Sequence, residues 1–211
     1  MSGDRDAFEA IVREVEHDGL SFDMRCFLVP HASGLVLIDT GLPGNVGLIA
    51  AGLERTGARW TDVTDVVLTH GHFDHVASLG DVVALTADAV VWAGEEDIAQ
   101  IGLPGPVRAL GDGDRVRDLR VMATPGHTPG HRSLVHEGAG LLFTGDVLGT
   151  MGGVLGRAPA QYTADAVLAE RTLRRLAETD WGRMVFSHGG EVADPDGDLR
   201  RLIADGGGSA D

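Results

Sequence analysis

The chain has 211 residues, 43% of them hydrophobic, enough for one domain with a substantial core. Its 17 basic and 32 acidic side chains give a formal net charge of −15, a field that repels nucleic acid at long range and disfavours a nuclease. A single cysteine, Cys26, excludes an intrachain disulfide framework, and no apolar run approaches transmembrane length. Cys26 lies in the apolar run Cys26-Phe27-Leu28-Val29, which marks it as a buried thiol rather than a nucleophile. The polar start, Met1 to Asp6, is followed by no signal-peptide core. With the cysteine usage, that sets the expectation of a cytoplasmic protein.

In chain order, residues 7–17 alternate polar and apolar and predict a half-buried strand. Residues 22–30 and 35–39 predict a hairpin, the second strand ending in Asp39-Thr40-Gly41. A helix is expected over 45–57, a strand over 65–69 and a helix over 76–85. A short strand over 89–93, a short helix over 95–101 and a loop over 103–106 follow. Short strands fill 107–124, broken at Gly111-Asp112-Gly113-Asp114. Strands at 132–137 and 140–144 precede a glycine-rich loop over 149–159. Residues 163–178 predict an amphipathic helix capped by Thr163, with Ala166, Val167, Leu173, Leu176 and Ala177 on one face. A strand at 184–186 and a helix over 195–203 complete the pattern. The organisation expected is one domain over residues 1–205 and a flexible tail over 206–211.

The stretch Thr69-His70-Gly71-His72-Phe73-Asp74-His75 stands directly after the β-branched run Val66-Val67-Leu68. Imidazole nitrogen and carboxylate oxygen suit zinc and related metals. Residues two apart in extended chain point the same way, so His70 and His72 can share one ion. Asp74 and His75 fall where a helix can start and are aimed at a second. Apolar strands elsewhere also end near a ligand-type residue: Ile38 leads to Asp39, Met122 to His127, Phe143 to Asp146, and Phe186 to His188. If those strand ends gather along one edge, His70, His72, Asp74, His75, His127, Asp146 and His188 meet in one cleft. Seven ligands are too many for one tetrahedral zinc and suit two ions sharing a carboxylate.

This pattern resembles the metallo-β-lactamase-fold metallo-hydrolase superfamily, in its glyoxalase II and lactonase-like branch. The match runs from about residue 22 to 190. The resemblance implies an α/β fold, a four-layered αββα sandwich with its metals at one edge. It implies that His70, His72 and His127 hold one ion, that Asp74, His75 and His188 hold the other, and that Asp146 bridges them. Asp39 is expected to accept a hydrogen bond from a ligand histidine, and His131 to support the site without ligating. His17, His31 and His136 carry no such pattern and read as ordinary histidines.

Two divalent cations roughly 3.5–4 Å apart lower the pKa of a bridging water toward neutrality and polarise a carbonyl. The resulting expectation is a dinuclear hydrolase that uses a metal-bridging hydroxide, with Asp74 and Asp146 as catalytic carboxylates, on a small ester, thioester or lactone. Zinc is the expected metal, with iron and manganese as competitors. A β-lactamase is disfavoured, because the subclass with a cysteine in its second metal site would need one where Asp146 stands. Glyoxalase II carries a helical C-terminal domain for which the 23 residues after His188 are too few. The lactonases have a tyrosine soon after the bridging aspartate, where this chain has none. Tyr162 and Arg157 are the candidate substrate contacts. The competing readings are a mononuclear iron persulfide dioxygenase, a phosphodiesterase or ribonuclease, and a non-catalytic metal binder. The expected partner is a small-molecule substrate, with no membrane, and the oligomeric state is left open.

Overall fold

The computed structural model describes residues 7–17, 20–86, 88–103 and 105–206. The polar start, the last five residues of the expected tail and the side chain of His17 lie outside that description. The chain begins with β1 (Glu9–His17), β2 (Leu20–His31) and β3 (Gly34–Ile38), then α1 (Val46–Thr56), β4 (Val63–Val67), α2 (Phe73–Val76), α3 (Leu79–Thr86), β5 (Val90–Gly94), α4 (Ile98–Ile101) and β6 (Val107–Leu110). The second half holds β7 (Arg115–Val116), β8 (Leu119–Ala123), β9 (Arg132–His136), β10 (Leu141–Phe143), β11 (Leu148–Met151), β12 (Val154–Arg157), α5 (Ala166–Leu176), β13 (Arg183–Val185) and α6 (Pro195–Gly206).

One sheet has the order β1-β2-β3-β4-β5-β6, the other β13-β10-β9-β8-β7. In the first sheet β1 to β3 are antiparallel and β3 to β6 parallel. Strand alternation explains why the sheets stack. Phe27, Val29, Val36, Ile38 and Val67 of the first sheet meet Leu119, Val121, Leu134, Phe143 and Val185 of the second in one core. Their neighbours Cys26, Leu28, Leu35, Leu37 and Val66 face the other way, onto Ile49 and Leu53 of α1 and Leu79 and Val82 of α3. On the far side, Met122, Val135, Leu142 and Met184 pack against Leu173 and Leu176 of α5 and Leu199 of α6. Strands buried on both faces read as continuous apolar runs, as Val36-Leu37-Ile38 does. The result is the αββα sandwich. No helix of the described residues is long and apolar enough to cross a membrane.

Several local expectations are corrected. Residues 149–159 are not an open loop. Leu148–Met151 and Val154–Arg157 pair as a hairpin around Gly152-Gly153, whose φ values of 58° and 78° suit a two-residue turn. The helix expected to be capped by Thr163 starts at Ala166, and its cap is Asp165, whose side chain accepts from the Leu168 N–H at 2.8 Å. Residues 160–162 form a separate 3-10 turn first. On that helix Val167 is 69% exposed, so the buried face is Thr172, Leu173 and Leu176. The helix expected over 76–85 begins earlier, at Phe73, and breaks at Ala77-Ser78. There Ser78 binds residues of the 39–45 turn, its N–H to the Gly41 carbonyl and its hydroxyl to that of Leu42. Gly206, placed in the tail by the sequence, closes α6.

A buried carboxylate on β4 ties the first sheet to the β7–β8 turn of the second. Asp65 on β4 accepts from the Trp92 indole at 2.8 Å, the Thr64 hydroxyl at 2.7 Å and Arg117 Nε at 2.7 Å. Burial alone would raise its pKa, but those donors, led by Arg117, outweigh it and hold the carboxyl below its usual range. Its stabilisation is therefore complete above the ordinary carboxylate pKa and is lost as pH falls through the depressed value. Urea unfolding as a function of pH should show a shallower acid limb for Asp65→Asn than for the parent chain. The variant should be less stable at pH 7.

Candidate metal centre

The site begins at a turn. Asp39, directly after β3, adopts the left-handed region at φ 58°, a conformation aspartate tolerates better than most residues. Its buried carboxylate accepts from the Thr69 N–H at 2.8 Å, the Thr69 hydroxyl at 2.8 Å and His75 Nδ1 at 2.8 Å. The carbonyl of His75 in turn accepts from the N–H groups of Thr40 and Gly41 and from the Thr40 hydroxyl. The ends of β3 and β4 and the helix α2 are thus fastened at one point. The proton arrangement follows. A carboxylate only accepts, so His75 carries a proton on Nδ1, and its Nε2 is the nitrogen that offers a lone pair once an ion displaces the proton held there against Asp146. Thr69 gives its hydroxyl proton to Asp39, so it accepts from His70 Nδ1 at 3.1 Å. His70 Nε2 is thereby also left as a lone pair.

The remaining groups arrive from the second sheet. His127 sits in the loop between β8 and β9, Asp146 in a 3-10 turn after β10, and His188 after β13. Gly126, at φ 136°, lets the His127 loop lie on α5: a Cβ there would stand 2.4 Å from the Ala169 backbone. The Asp146 N–H donates to His131 Nε2 at 2.9 Å, and His131 Nδ1 donates to Thr124 Oγ1 at 2.8 Å. Both ring nitrogens of His131 are therefore engaged. It orients Asp146 and is no ligand. Burial pushes its pKa down to about 3, which keeps it neutral.

Two groups of ligand atoms result, each within 4.8 Å of one another: His70, His72 and His127 form one, and Asp74, His75, Asp146 and His188 the other. Asp146 stands between them. Its Oδ1 is 3.3 Å from His75 Nε2, and its Oδ2 is 3.2 Å from His188, 3.5 Å from His127 and 3.9 Å from His70. His188 Nε2 is also 3.4 Å from Asp74 Oδ2. Burial drives His70 down and His127 to about 4, so both present neutral lone pairs. The other group behaves oppositely. Burial resists charge on His75 and His188, yet Asp146, joined by Asp39 at His75 and Asp74 at His188, overrides it. His75 is held well above its ordinary value and His188 is raised to about 10. Burial would raise Asp146 too, but His188 and His75 hold it well below the carboxylate range.

The buried Nε2 atoms of His70, His75 and His127 and Oδ1 of Asp146 have no hydrogen-bond partner. Unpaired buried polar atoms are costly, and these converge. The donor set, imidazoles on one side and mixed imidazole and carboxylate on the other, fits two divalent transition-metal ions.

One residue at this site was not read from the sequence. Asp97, buried at the end of a one-turn helix after β5, accepts from the Gly71 N–H at 3.0 Å, the Gly130 N–H at 2.7 Å and the Thr128 hydroxyl at 2.6 Å. It joins the loop of His70 and His72 to the loop of His127. A Cβ on Gly130 would fall 2.5 Å from the Asp97 carboxyl carbon, so glycine is required for that contact. Within Glu95-Glu96-Asp97 nothing in the sequence separates it from two exposed acids. The candidate substrate contacts fare differently. Tyr162 is 54% exposed, in the 3-10 turn before the segment whose Ala164 N–H binds the His127 carbonyl. Arg157 is no free loop cation: it pairs with Glu170 of α5 and donates to the Leu202 carbonyl of α6 at 2.9 Å. It fastens β12 to both helices, and these contacts occupy its guanidinium.

Residues 25–188 match the family model of the metallo-beta-lactamase superfamily. A probable metallo-hydrolase of Bacillus subtilis, YflN, is 28% identical, the alignment covering 76% of each chain. A hydroxyacylglutathione hydrolase of Cereibacter sphaeroides is 37% identical over 62% of this chain and 50% of its own length. Among solved structures, a metallo-beta-lactamase family protein of Thermus thermophilus, TTHA1429, superimposes with a TM-score of 0.76 at 23% identity, over 95% of this chain and 79% of that one. The di-iron-bound form of TTHA1623 gives 0.68 at 28% identity, over 90% and 98%.

Replacing Asp39 by alanine frees the His75 ring, and metal affinity should fall roughly 10–100-fold without being abolished, measured by competition with a chromophoric chelator. Asp97→Ala leaves buried donors unpaired at about 1–3 kcal/mol each. It should lower the unfolding midpoint and weaken metal binding at His70, His72 and His127 more than at the group of Asp74, His75, Asp146 and His188.

Proposed function

The chain belongs to the metallo-beta-lactamase superfamily, and from that premise we propose that it is a dinuclear metal-dependent hydrolase acting on a small ester, thioester or lactone. The observation that carries the reading is the position of Asp146, whose two oxygens face both ligand groups at 3.2–3.9 Å. His70, His72 and His127 would hold one ion, Asp74, His75 and His188 the other, and Asp146 both. Two such ions supply a water acidified toward neutral pH and an electrophile for the carbonyl oxygen. No serine or cysteine nucleophile is then needed, which agrees with Cys26 being buried, with a thiol pKa pushed up by burial.

The protein's own contribution is orientation and proton handling. Asp39 and Thr69 fix the tautomers of His75 and His70, and His131 fixes Asp146 through its backbone N–H. Asp74 is the least enclosed of the carboxylates, its side chain about one third exposed. Its exposure would let it relay a proton between the centre and solvent. The partial match to hydroxyacylglutathione hydrolases supports thioesters as a substrate class. Zinc suits the nitrogen and oxygen ligands. Iron is the specific competitor, since a related structure is di-iron.

Elemental analysis of purified protein should give two transition-metal ions per chain, with turnover in a thioester and lactone screen. A single iron with oxygen consumption and no hydrolysis would replace the hydrolase by a persulfide dioxygenase. His127→Ala should lower metal content and abolish hydrolysis. Retention of both would remove His127 from the centre.

A further inference from the structure

A small cavity lies against the second ligand group, with Asp74, His75 and His188 in its lining. Its volume of about 10 Å³ is room for one water-sized polar group. Four nitrogen- or oxygen-bearing side chains outside the ligand groups also line it: Arg13 of β1, Arg25 of β2, Asn45 before α1, and Ser187. Strand pairing puts them there. The Arg25 N–H donates to the Ser187 carbonyl at 2.9 Å, and Met24 forms a β-bridge with His188. The β2 strand therefore runs directly beside the segment that carries His188. Asn45 is held by its amide protons, which go to the Thr40 carbonyl and the Cys26 sulfur.

Three of these side chains carry a buried polar atom with no hydrogen-bond partner: Arg25 Nε, Ser187 Oγ and Asn45 Oδ1. Such atoms are costly, and none of them belongs to the ligand groups. Arg25 gives Nη2 to Asp23 at 2.8 Å, which leaves its Nε–H unused. Arg13 gives Nη1 to the Pro43 carbonyl at 3.0 Å, and among the described residues no carboxylate pairs with it. Resting on the hydrolase reading, we propose that this cavity is the subsite for a carboxylate carried by the substrate, recognised by Arg25 and Arg13. The Arg25 Nε–H and the Ser187 hydroxyl donate, and a carboxylate oxygen only accepts. Hydrogen bonds to an ionised partner are the strong ones. Asn45 Oδ1 is the acceptor on that wall, and a water carried with the carboxylate serves it. Charge points the same way. The chain carries a net −15, and two of its cations line the cavity of the second ligand group. The nearby acids are engaged, Asp23 by Arg25 and Asp74 by His188. A space for one polar group excludes an apolar chain, and two guanidinium groups reject an ammonium.

The acid can sit on either half of a thioester, so the test uses both. One pair is the succinyl thioester of N-acetylcysteamine and its methyl ester. The other is the acetyl thioester of mercaptoacetate and its methyl ester. The readout is the ratio of kcat/KM for acid over ester within each pair. In the parent protein at least one pair should favour the acid by about tenfold or more, mainly through KM, and that pair identifies the half that carries it. Arg25→Gln should bring the ratio to within about twofold of unity. Arg25→Lys keeps the charge without the Nε–H and should fall between. Arg13→Gln, on the edge strand β1, should lower the ratio severalfold at unchanged metal content. Ratios near one in both pairs, or a preference that survives Arg25→Gln and Arg13→Gln, would overturn the assignment. If Arg25→Gln does not fold, Arg13→Gln decides by itself. If no thioester is hydrolysed, the hydrolase reading fails alone. Titration of metal-loaded protein with glutarate then decides the subsite. An affinity lost about tenfold or more in Arg25→Gln sustains it. Equal affinity in parent and variant, or no binding, removes it.

Discussion

The carboxylate of Asp39 is the constraint on which the rest of the centre depends. It receives the Thr69 N–H, the Thr69 hydroxyl and His75 Nδ1, so one buried anion fixes the end of β4 and the orientation of two histidine rings. Because the group only accepts, the direction of every proton around it is determined. The lone pairs of His70 and His75 then point where an ion can use them. The left-handed backbone of Asp39 is the local strain that accompanies this, held by the hydrogen bonds from Thr40 and Gly41 to the His75 carbonyl.

The second sheet repeats that logic with different groups. His131 holds Asp146 by its backbone and is kept neutral by burial, so it adds no charge to a centre that is to receive cations. Asp97 joins the loops bearing His70, His72 and His127, which come from different sheets. Rigid strands bring the loops to one edge, and supporting side chains set the final positions. A centre assembled from both halves of a sandwich needs such ties, because small shifts between the sheets would separate its two ligand groups.

The two ligand groups are also electrostatically unlike. His70 and His127 are neutral by burial, while His75 and His188 are drawn toward the charged form by Asp146 and its neighbours. The protons that His75 and His188 hold against Asp146 are what a bound cation would displace. This is the expected behaviour of a site built to hold positive charge in a poorly solvated place.

The sequence by itself determined the class of fold and the candidate ligands. The fold followed from the family resemblance that the ligand motifs carry, and a His-x-His-x-Asp-His segment after an apolar, β-branched run has few uses besides metal. Local chemistry therefore revealed His70, His72, Asp74, His75, His127, Asp146 and His188. The tertiary structure decided what depends on partners distant in sequence. It turned an expected glycine-rich loop into the β11–β12 hairpin, tied Arg157 to Glu170 and Leu202, and moved the cap of α5 to Asp165. It singled out Asp97 from three consecutive acids, because a carboxylate's role is set by the N–H groups that reach it, and Gly71 and Gly130 lie 26 and 33 residues away. It also gathered Arg13, Arg25 and Ser187 around one cavity, since a cavity is the space left between elements and no single element encodes it.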